Sequence, residues 1–539
     1  MSIFCYNFSF CPYFGGGRTV IRPYASISSD AVVGENTLIQ PYVHISHDVH
    51  IGANSVLSAN VALGGKLQIG EECYFGLGSV VREELTIGAR AIIGMGLWYC
   101  TMWTVTRLWL EILPISCAKA RQGRCSITDT ESGKDTITMK KLLLLGGSRY
   151  LLPAIKSAHD LGAYVITCDY CPHNYAHQFA DEYHNVSIVD KDAVLKLAQK
   201  LNIDGIMSYA TDPGVTTAAY VAEKLHLPGN NPYASVAILQ NKGKFRKFLQ
   251  ENGFNVPKMK TFRSWDEARS SLYEIEYPVI VKPTDSAGSK GVTRVDKEDQ
   301  LESAVSYALD HSIGHECIIE QFIEKEGFST DTDSFSIDGK LVFFSLNDQW
   351  FDSSAANEYT PAAYCWPSTM PSKFQTELHD EIQRLLTLLH MGTSIYNIET
   401  RLGKNGKPYI MEVSPRAGGN RLAEVLRYAC GQDLIKASVE GALGLPIDKL
   451  HDPIYQGHWG LVVLHGKQSG IFQTISINPQ IIDEIAEKDI WLNLGEKVEP
   501  FTGANKSIGT LILHCATQDR LIQILSNIES LVKVNVLPN

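Results

Sequence analysis

At 539 residues, 44% hydrophobic and 20% charged, the chain has an ordinary soluble protein's composition and is too long for one hydrophobic core. A formal charge of −11, with no local Lys/Arg cluster to offset it, argues against a nucleic-acid-binding surface. The twelve cysteines lack the repeated spacing of a secreted disulfide scaffold, and no basic stretch precedes the apolar opening MSIFCYNFSFCPYFGGG, so a cytoplasmic chain is expected. Cys168 and Cys171 have CxxC spacing, but without a second pair they read as reduced and structural.

The first element is a repeat. From Ile21 to Ile93 an aliphatic or aromatic residue returns at every sixth position: Ile21, Ile27, Val33, Ile39, Ile45, Ile51, Leu57, Leu63, Ile69, Phe75, Val81, Ile87, Ile93. Neither a helix nor a simple strand ladder has period six. Short strands joined by tight turns do, each anchor pointing into a shared prism-like core, with a small residue after the anchor to ease the turn. This predicts a parallel β-helix over residues 1–96. The stretch HISHDVHIGANSVLSANVALGGKLQIGEECYFGLGSVV resembles the hexapeptide-repeat sugar acetyltransferases, which fold as left-handed β-helices. That resemblance implies His47, oriented by Asp48, as general base, Gly65 as a backbone donor to a carbonyl, acetyl-CoA as cosubstrate if the segment is active, and a trimer. The segment departs from that family in lacking a domain before the coils and the family's usual closing repeats and tail; a trimerisation scaffold without chemistry is the alternative.

Residues 97–138 break the repeat. Arg107 and Glu111 interrupt an apolar run too short for a bilayer, so no membrane insertion is expected. The segment reads as a linker, with Met139-Lys140-Lys141 before LLLLGGS resembling a protein start and a reading-frame change as the origin of the seam.

From Lys141 strands alternate with helices. KLLLLGGS, AYVITCDY and DGIMSYATD predict a doubly wound α/β domain over 139–230, with ligand groups at the strands' carboxyl ends. Lys242 then lies in the helix of LQNKGKFRKFLQENGFNVP, and Lys282 ends the strand YPVIVKP. The loop PTDSAGSKGV follows, its Ser286, Gly288, Ser289, Lys290 and Gly291 suited to closing backbone N–H groups and a cation over phosphates. The last of the series, NIETRLGKNGKPYIMEVSPRAGGNRL, reads as two strands presenting Glu399 and Glu412, a hard-oxygen pair suited to magnesium. Residues 451–539 read as a small α+β appendage.

Taken in order, these parts resemble the ATP-grasp superfamily over residues 141–450. The resemblance implies an ATP-grasp domain at 231–450, a lid-like C-terminal domain at 451–539, and ATP with Mg2+ (or Mn2+) as cofactors. Lys242 and Lys282 would bind phosphates under the cover Thr284–Gly291. Glu320, Gln321, Phe322 and Ile323 would form the adenine strand. Glu399 and Glu412 would hold the metal, and Arg416 would steady an acyl phosphate or carboxylate. Two positions depart from the family pattern: Gly327 stands where an acid often holds ribose, leaving that task to Glu326, and Ser414 replaces an asparagine that completes the metal site. The implied activity is ligation of a small-molecule carboxylate to an amine through an acyl phosphate, in amino-sugar or surface-polysaccharide metabolism, with a dimer through this part as a second assembly. Bicarbonate chemistry through carboxyphosphate is the alternative.

Overall fold

The structure is a computed structural model that describes residues 2–4, 19–22, 24–28, 30–93, 98–99, 139–229, 231–271, 276–286 and 290–538. Almost all of the predicted seam, and Gly288 and Ser289 of the predicted phosphate loop, lie outside the described residues. Two units divide the chain, Met1–Gly133 and Lys134–Asn539.

In the first unit the six-residue anchors build three sheets whose parallel strands pair eighteen residues apart, as in Ile39↔Leu57 and Ile45↔Leu63. Ile39, Ile45, Leu57 and Phe75 are fully buried between the sheets. The sequence reading is corrected at two points. The glycines after the anchors do not make the turns. The left-handed residues come three positions after the anchor, at Asn36, Tyr42, Asp48, Asn54, Asn60, Lys66, Glu72, Glu84 and Arg90. Gly34, Gly52 and Gly70 instead allow successive coils to touch, since a Cβ on any of them would stand 2.4 Å from backbone of the next coil. The repeat also runs one rung past its predicted end, because Trp98–Tyr99 pairs in parallel with Val80–Val81.

The second unit begins with a four-stranded parallel sheet in the order Glu182–His184, Tyr164–Cys168, Lys141–Leu145, Gly205–Met207. A small antiparallel sheet follows, Met259–Phe262, Cys317–Gln321, Val279–Pro283 and Thr293–Val295, backed by helix Leu301–Asp310 through Val281, Leu301, Val305 and Ile319. The largest sheet is antiparallel and carries, in order, Pro408–Ser414, Ser394–Gly403, Lys325–Ile337, Asp348–Phe351, Pro361–Trp366, His458–His465, Ser507–Cys515 and Ile485–Ile490. Its last three strands come from residues 451–539, which are therefore not a separate appendage. His458–His465 pairs with Pro361–Trp366, because the strand edge there would otherwise expose unpaired N–H and C=O groups. Only Gly470–Ile477, Lys497–Val498 and Val532–Pro538 form a sheet of their own.

Candidate active site

Helix Lys242–Glu251 starts at Asn241, whose side chain caps it by accepting from the Lys244 N–H. That start puts Lys242 in the first turn and Arg246 one turn on, along the same face. Strand Val279–Pro283 alternates in burial and carries Lys282 beside Glu320 of the neighbouring Cys317–Gln321. The Lys282 ammonium donates to Glu320 Oε1 at 2.5 Å, and Arg246 Nε donates to Glu320 Oε2 at 3.0 Å. Arg246 Nη1 donates to the Met411 carbonyl at 2.8 Å, while its Nη2 is buried without a partner. Lys242 Nζ donates to the Ser286 carbonyl at 2.9 Å and stands 3.4 Å from Glu412.

These contacts set up an unbalanced field. Burial would raise the Glu320 carboxyl, but Arg246 and Lys282 overrule it and hold it at about 2. Lys282 moves the other way: burial, with the Arg246 and Lys242 charges, outweighs Glu320 and holds its ammonium below the usual range. Arg246 and Lys282 share the buried carboxylate of Glu320, and the Lys242 charge adds to the repulsion on Lys282. An anion entering here would relieve their repulsion.

Across from this cluster, Glu399 and Glu412 are direct partners on adjacent strands, and Asp331 is the partner of Glu399 on its other side. Burial pushes the Glu399 carboxyl up, with Arg401 pulling it back and Glu412 adding to the rise. Burial and then the Glu399 charge take Asp331 up to about 7. Burial and the Asp331 charge, against a Gly418 N–H, do the same for Asp333. Among the described residues no three His, Cys, Asp or Glu are arranged to hold a metal by themselves. Magnesium needs no such group, because it takes one or two carboxylates and completes its shell with phosphate oxygens and water. Glu399 and Glu412 fit it.

Residues 239–420 match the ATP-grasp domain family, and residues 30–65 match the bacterial transferase hexapeptide repeat. This chain carries an ATP-grasp domain. Over 386 residues it is 26% identical to the formate-dependent phosphoribosylglycinamide formyltransferase of Bacteroides thetaiotaomicron, an alignment covering 70% of this chain and 94% of that relative. The carbamoyl phosphate synthase large chain of Thermotoga neapolitana is 27% identical over 43% of this chain, which spans only 20% of that relative. In fold the chain is similar to the L-amino acid ligase from Bacillus licheniformis, with a TM-score of 0.62, 20% identity and coverage of 74% and 99%. It is likewise similar to the phosphoribosylglycinamide synthetase from Anaerococcus prevotii, at a TM-score of 0.58, 22% identity and coverage of 74% and 100%.

Within the ATP-grasp domain the structure pairs Lys242 with Glu412 and Lys282 with Glu320, with Glu399 beside Glu412. Other predicted site residues stand differently. Thr284 is buried, and its hydroxyl donates to the Glu316 carbonyl at 3.3 Å at the root of the loop. Ser286 offers its carbonyl to Lys242, and Lys290 is exposed. Gly291, at φ +73°, allows the chain to pass Pro283, whose Cγ would lie 2.6 Å from an added Cβ. Glu320 uses its side chain as the cations' counter-ion. The Gln321 and Phe322 N–H groups are spent on Lys258 and Pro278 carbonyls, and the Ile323 carbonyl accepts from Arg401. Glu326 is exposed at the start of the long strand.

Ser414 and Arg416 both meet Asp212. Ser414 is 1% exposed, accepting from Gln240 Nε2 at 2.7 Å and donating to Asp212 Oδ1 at 3.0 Å. Arg416 grips Asp212 through Nε at 2.7 Å and Nη2 at 2.8 Å and donates Nη1 to the Ala417 carbonyl at 2.8 Å. Through this pair Asp212 ties the parallel-sheet domain to the Glu399–Glu412 hairpin.

Sequence reasoning missed Arg246, Asp331, Asp333 and Asn397. The four-residue step from Lys242 would have pointed to Arg246. The alternation in STDTDS, whose aspartates stand two apart on a strand, would have put Asp331 and Asp333 on one face. In the first unit His47 Nδ1 and Asp48 Oδ2 are 3.1 Å apart and exposed, and the imidazole rests on Gly65, where a Cβ would come within 2.7 Å of the ring.

Proposed function

We propose that residues 139–539 work as an ADP-forming ligase that activates a carboxylate with ATP and joins it to an amine. The observation that carries this reading is the cation cluster of Lys242, Arg246 and Lys282 set opposite the Glu399–Glu412 pair. Such an arrangement serves a triphosphate on one side and a divalent cation on the other. Mg2+, held by Glu399 and Glu412, would supply screening of the phosphate charge when bound.

The chain's own groups account for the rest. Lys282 and Lys242 neutralise the γ- and β-phosphate oxygens as a substrate carboxylate oxygen attacks the γ-phosphorus. The bond to the β-phosphate bridging oxygen breaks and ADP leaves. Nitrogen of the acceptor amine then attacks the acyl carbon, the bond to phosphate breaks, and the amide departs with inorganic phosphate and the amine's protons released to solvent. Burial of Arg246 and Glu320 behind Lys282 keeps bulk water away from the phosphorus end of this path.

A panel of amino acids, formate and bicarbonate, each with ATP and Mg2+, tests the reading by ADP release, with hydroxylamine trapping any acyl phosphate as a hydroxamate. The reading expects ADP and hydroxamate with at least one acid. ATP binding without either product across the panel would refute it. Bicarbonate alone giving ADP would favour carboxyphosphate chemistry.

For the first unit, the His47–Asp48 contact over Gly65 favours acyl transfer from acetyl-CoA to a sugar hydroxyl or amine, tested by calorimetry with acetyl-CoA on wild type and His47→Ala. No described helix is long and apolar enough to cross a membrane. Our reading places the enzyme in the cytoplasm, as a trimer through the β-helix or a dimer through the ligase part, with Mn2+ able to replace Mg2+.

A further inference from the structure

Strand Lys141–Leu145 runs through Gly146-Gly147-Ser148 into Arg149, at the carboxyl edge of the parallel sheet. The guanidinium carbon of Arg149 lies 3.6 Å from the centroid of the Tyr175 ring and 5.7 Å from that of the Trp491 ring. Both rings are themselves held. Asp169 shapes the loop before Tyr175, accepting from Asn174 Nδ2 at 2.6 Å and from the Cys171 N–H at 3.3 Å. Gly147 lets that loop close in, since an added Cβ would stand 2.4 Å from the His177 ring. Trp491 Nε1 donates to Asp489 Oδ2 at 2.8 Å, and its ring meets that of Tyr150 edge-on at 5.7 Å.

Arg149 gives none of its side-chain donors to the protein. Among the described residues it makes contacts with the two rings, and neither a hydrogen bond nor an ion pair. Arg246, Arg384, Arg416, Arg421 and Arg520, by contrast, each meet a carboxylate. Nor is Arg149 a loose surface side chain, because it is half-buried and its rings fix it in place, so little ordering is left for a ligand to impose. A guanidinium stacked on aromatic faces and open at its edge is suited to a bidentate oxyanion. Its single charge and planar fork match the single charge and coplanar oxygens of a carboxylate more closely than a phosphate monoester, which is larger and more highly charged.

We infer that Arg149 seats a substrate carboxylate other than the one that is phosphorylated. This rests on the ligase reading and narrows its substrates to pairs in which a free carboxylate survives ligation: an amino acid as acceptor, or a dicarboxylate as the acid. The position of Arg149 supports the assignment. Tyr150, next in the chain, donates to Asn420 Oδ1 at 3.0 Å, and Asn420 Nδ2 donates to the Tyr364 hydroxyl at 3.2 Å. That hydroxyl donates to Asp331, the strand partner of Glu399. A line of side chains thus leads from the neighbour of Arg149 to the metal pair, and a group held at Arg149 lies at the end of the substrate remote from the γ-phosphorus.

The test uses the full chain and its Arg149→Gln and Arg149→Lys variants, with Mg2+ and a non-hydrolysable ATP analogue. The standard amino acids, succinate and glutarate are titrated at millimolar concentration by ligand-observed NMR, each beside its amide, with phosphoethanolamine as the phosphate probe. At least one carboxylate should bind wild type tenfold or more tightly than its amide. Arg149→Gln should weaken that carboxylate at least tenfold, while the amide and the ATP analogue stay within threefold. Arg149→Lys, which keeps the charge and loses the fork, should fall between. A wild type that binds no carboxylate of the panel, or prefers none to its amide, would overturn the inference even if neither variant folds. Equal carboxylate binding by wild type and Arg149→Gln would overturn it too, as would an equal loss of the ATP analogue. Phosphoethanolamine binding that depends on Arg149, where no carboxylate's does, would reassign the seat to a phosphate monoester. If carboxylate binding depends on Arg149 yet no acid yields ADP, the ligase reading fails and the seat stands. ADP release with substrate KM values unchanged in Arg149→Gln would leave the ligase reading and remove the seat.

Discussion

Glu320→Gln probes the centre of the cation cluster. The carboxylate is 3% exposed and is the counter-ion of two side chains, Arg246 at 0% and Lys282 at 12% exposure. Its carboxyl falls from an ordinary 4.5 to about 2, a gap that corresponds to about 3 kcal/mol. Because the folded value is the depressed one, this contribution is present above pH ~4.5 and is lost as pH falls through about 2. Lys282 acts in the opposite sense, so the group as a whole gains less than Glu320 alone. Replacing the carboxylate with an amide leaves two cations buried without a counter-ion, which costs roughly 3–5 kcal/mol. For a unit of this size that is a drop in Tm of roughly 4–8 °C at pH 7. MgATP should recover part of it, since the triphosphate brings the missing negative charge. Thermal melts of both proteins between pH 3 and 7, with and without MgATP, read the effect, and the difference should narrow toward the acid end. A variant that melts with wild type at pH 7 would refute the reasoning.

Lys282→Ala should lower ADP release by roughly 10²–10³-fold, because it removes a donor from the developing phosphate charge. Glu412→Gln should raise the Mg2+ concentration for half-maximal ADP release by tenfold or more, whereas Ser414→Ala should leave it unchanged and instead loosen the Asp212–Arg416 strap, seen as a lower Tm. Gly65→Ala should shift the melt of the β-helix by less than about 1 kcal/mol, since the added methyl meets only an exposed imidazole, while displacing the His47 ring resonances in NMR. Residues 139–539 expressed alone should fold and bind ATP, because the core of the second unit is drawn from residues within it.

The β-helix was legible from sequence because its period is enforced locally: each anchor must be apolar wherever the prism repeats. The same holds for Lys282 at the end of an apolar strand and for the Glu399–Glu412 hairpin, where strand alternation and a polar turn set the spacing. Tertiary structure decided what long-range contacts decide. Whether Arg416 meets substrate or Asp212, 204 residues away, depends on how the parallel sheet docks on the hairpin. Residues 458–465 complete the large sheet rather than standing apart because the neighbouring strand offered an edge to pair. The buried contacts of Asp331 exist only where Lys325–Ile337, Pro361–Trp366 and Ser394–Gly403 share one sheet, bringing Asn397 and Tyr364 to its two carboxylate oxygens, although each residue alone would read as a solvated polar one.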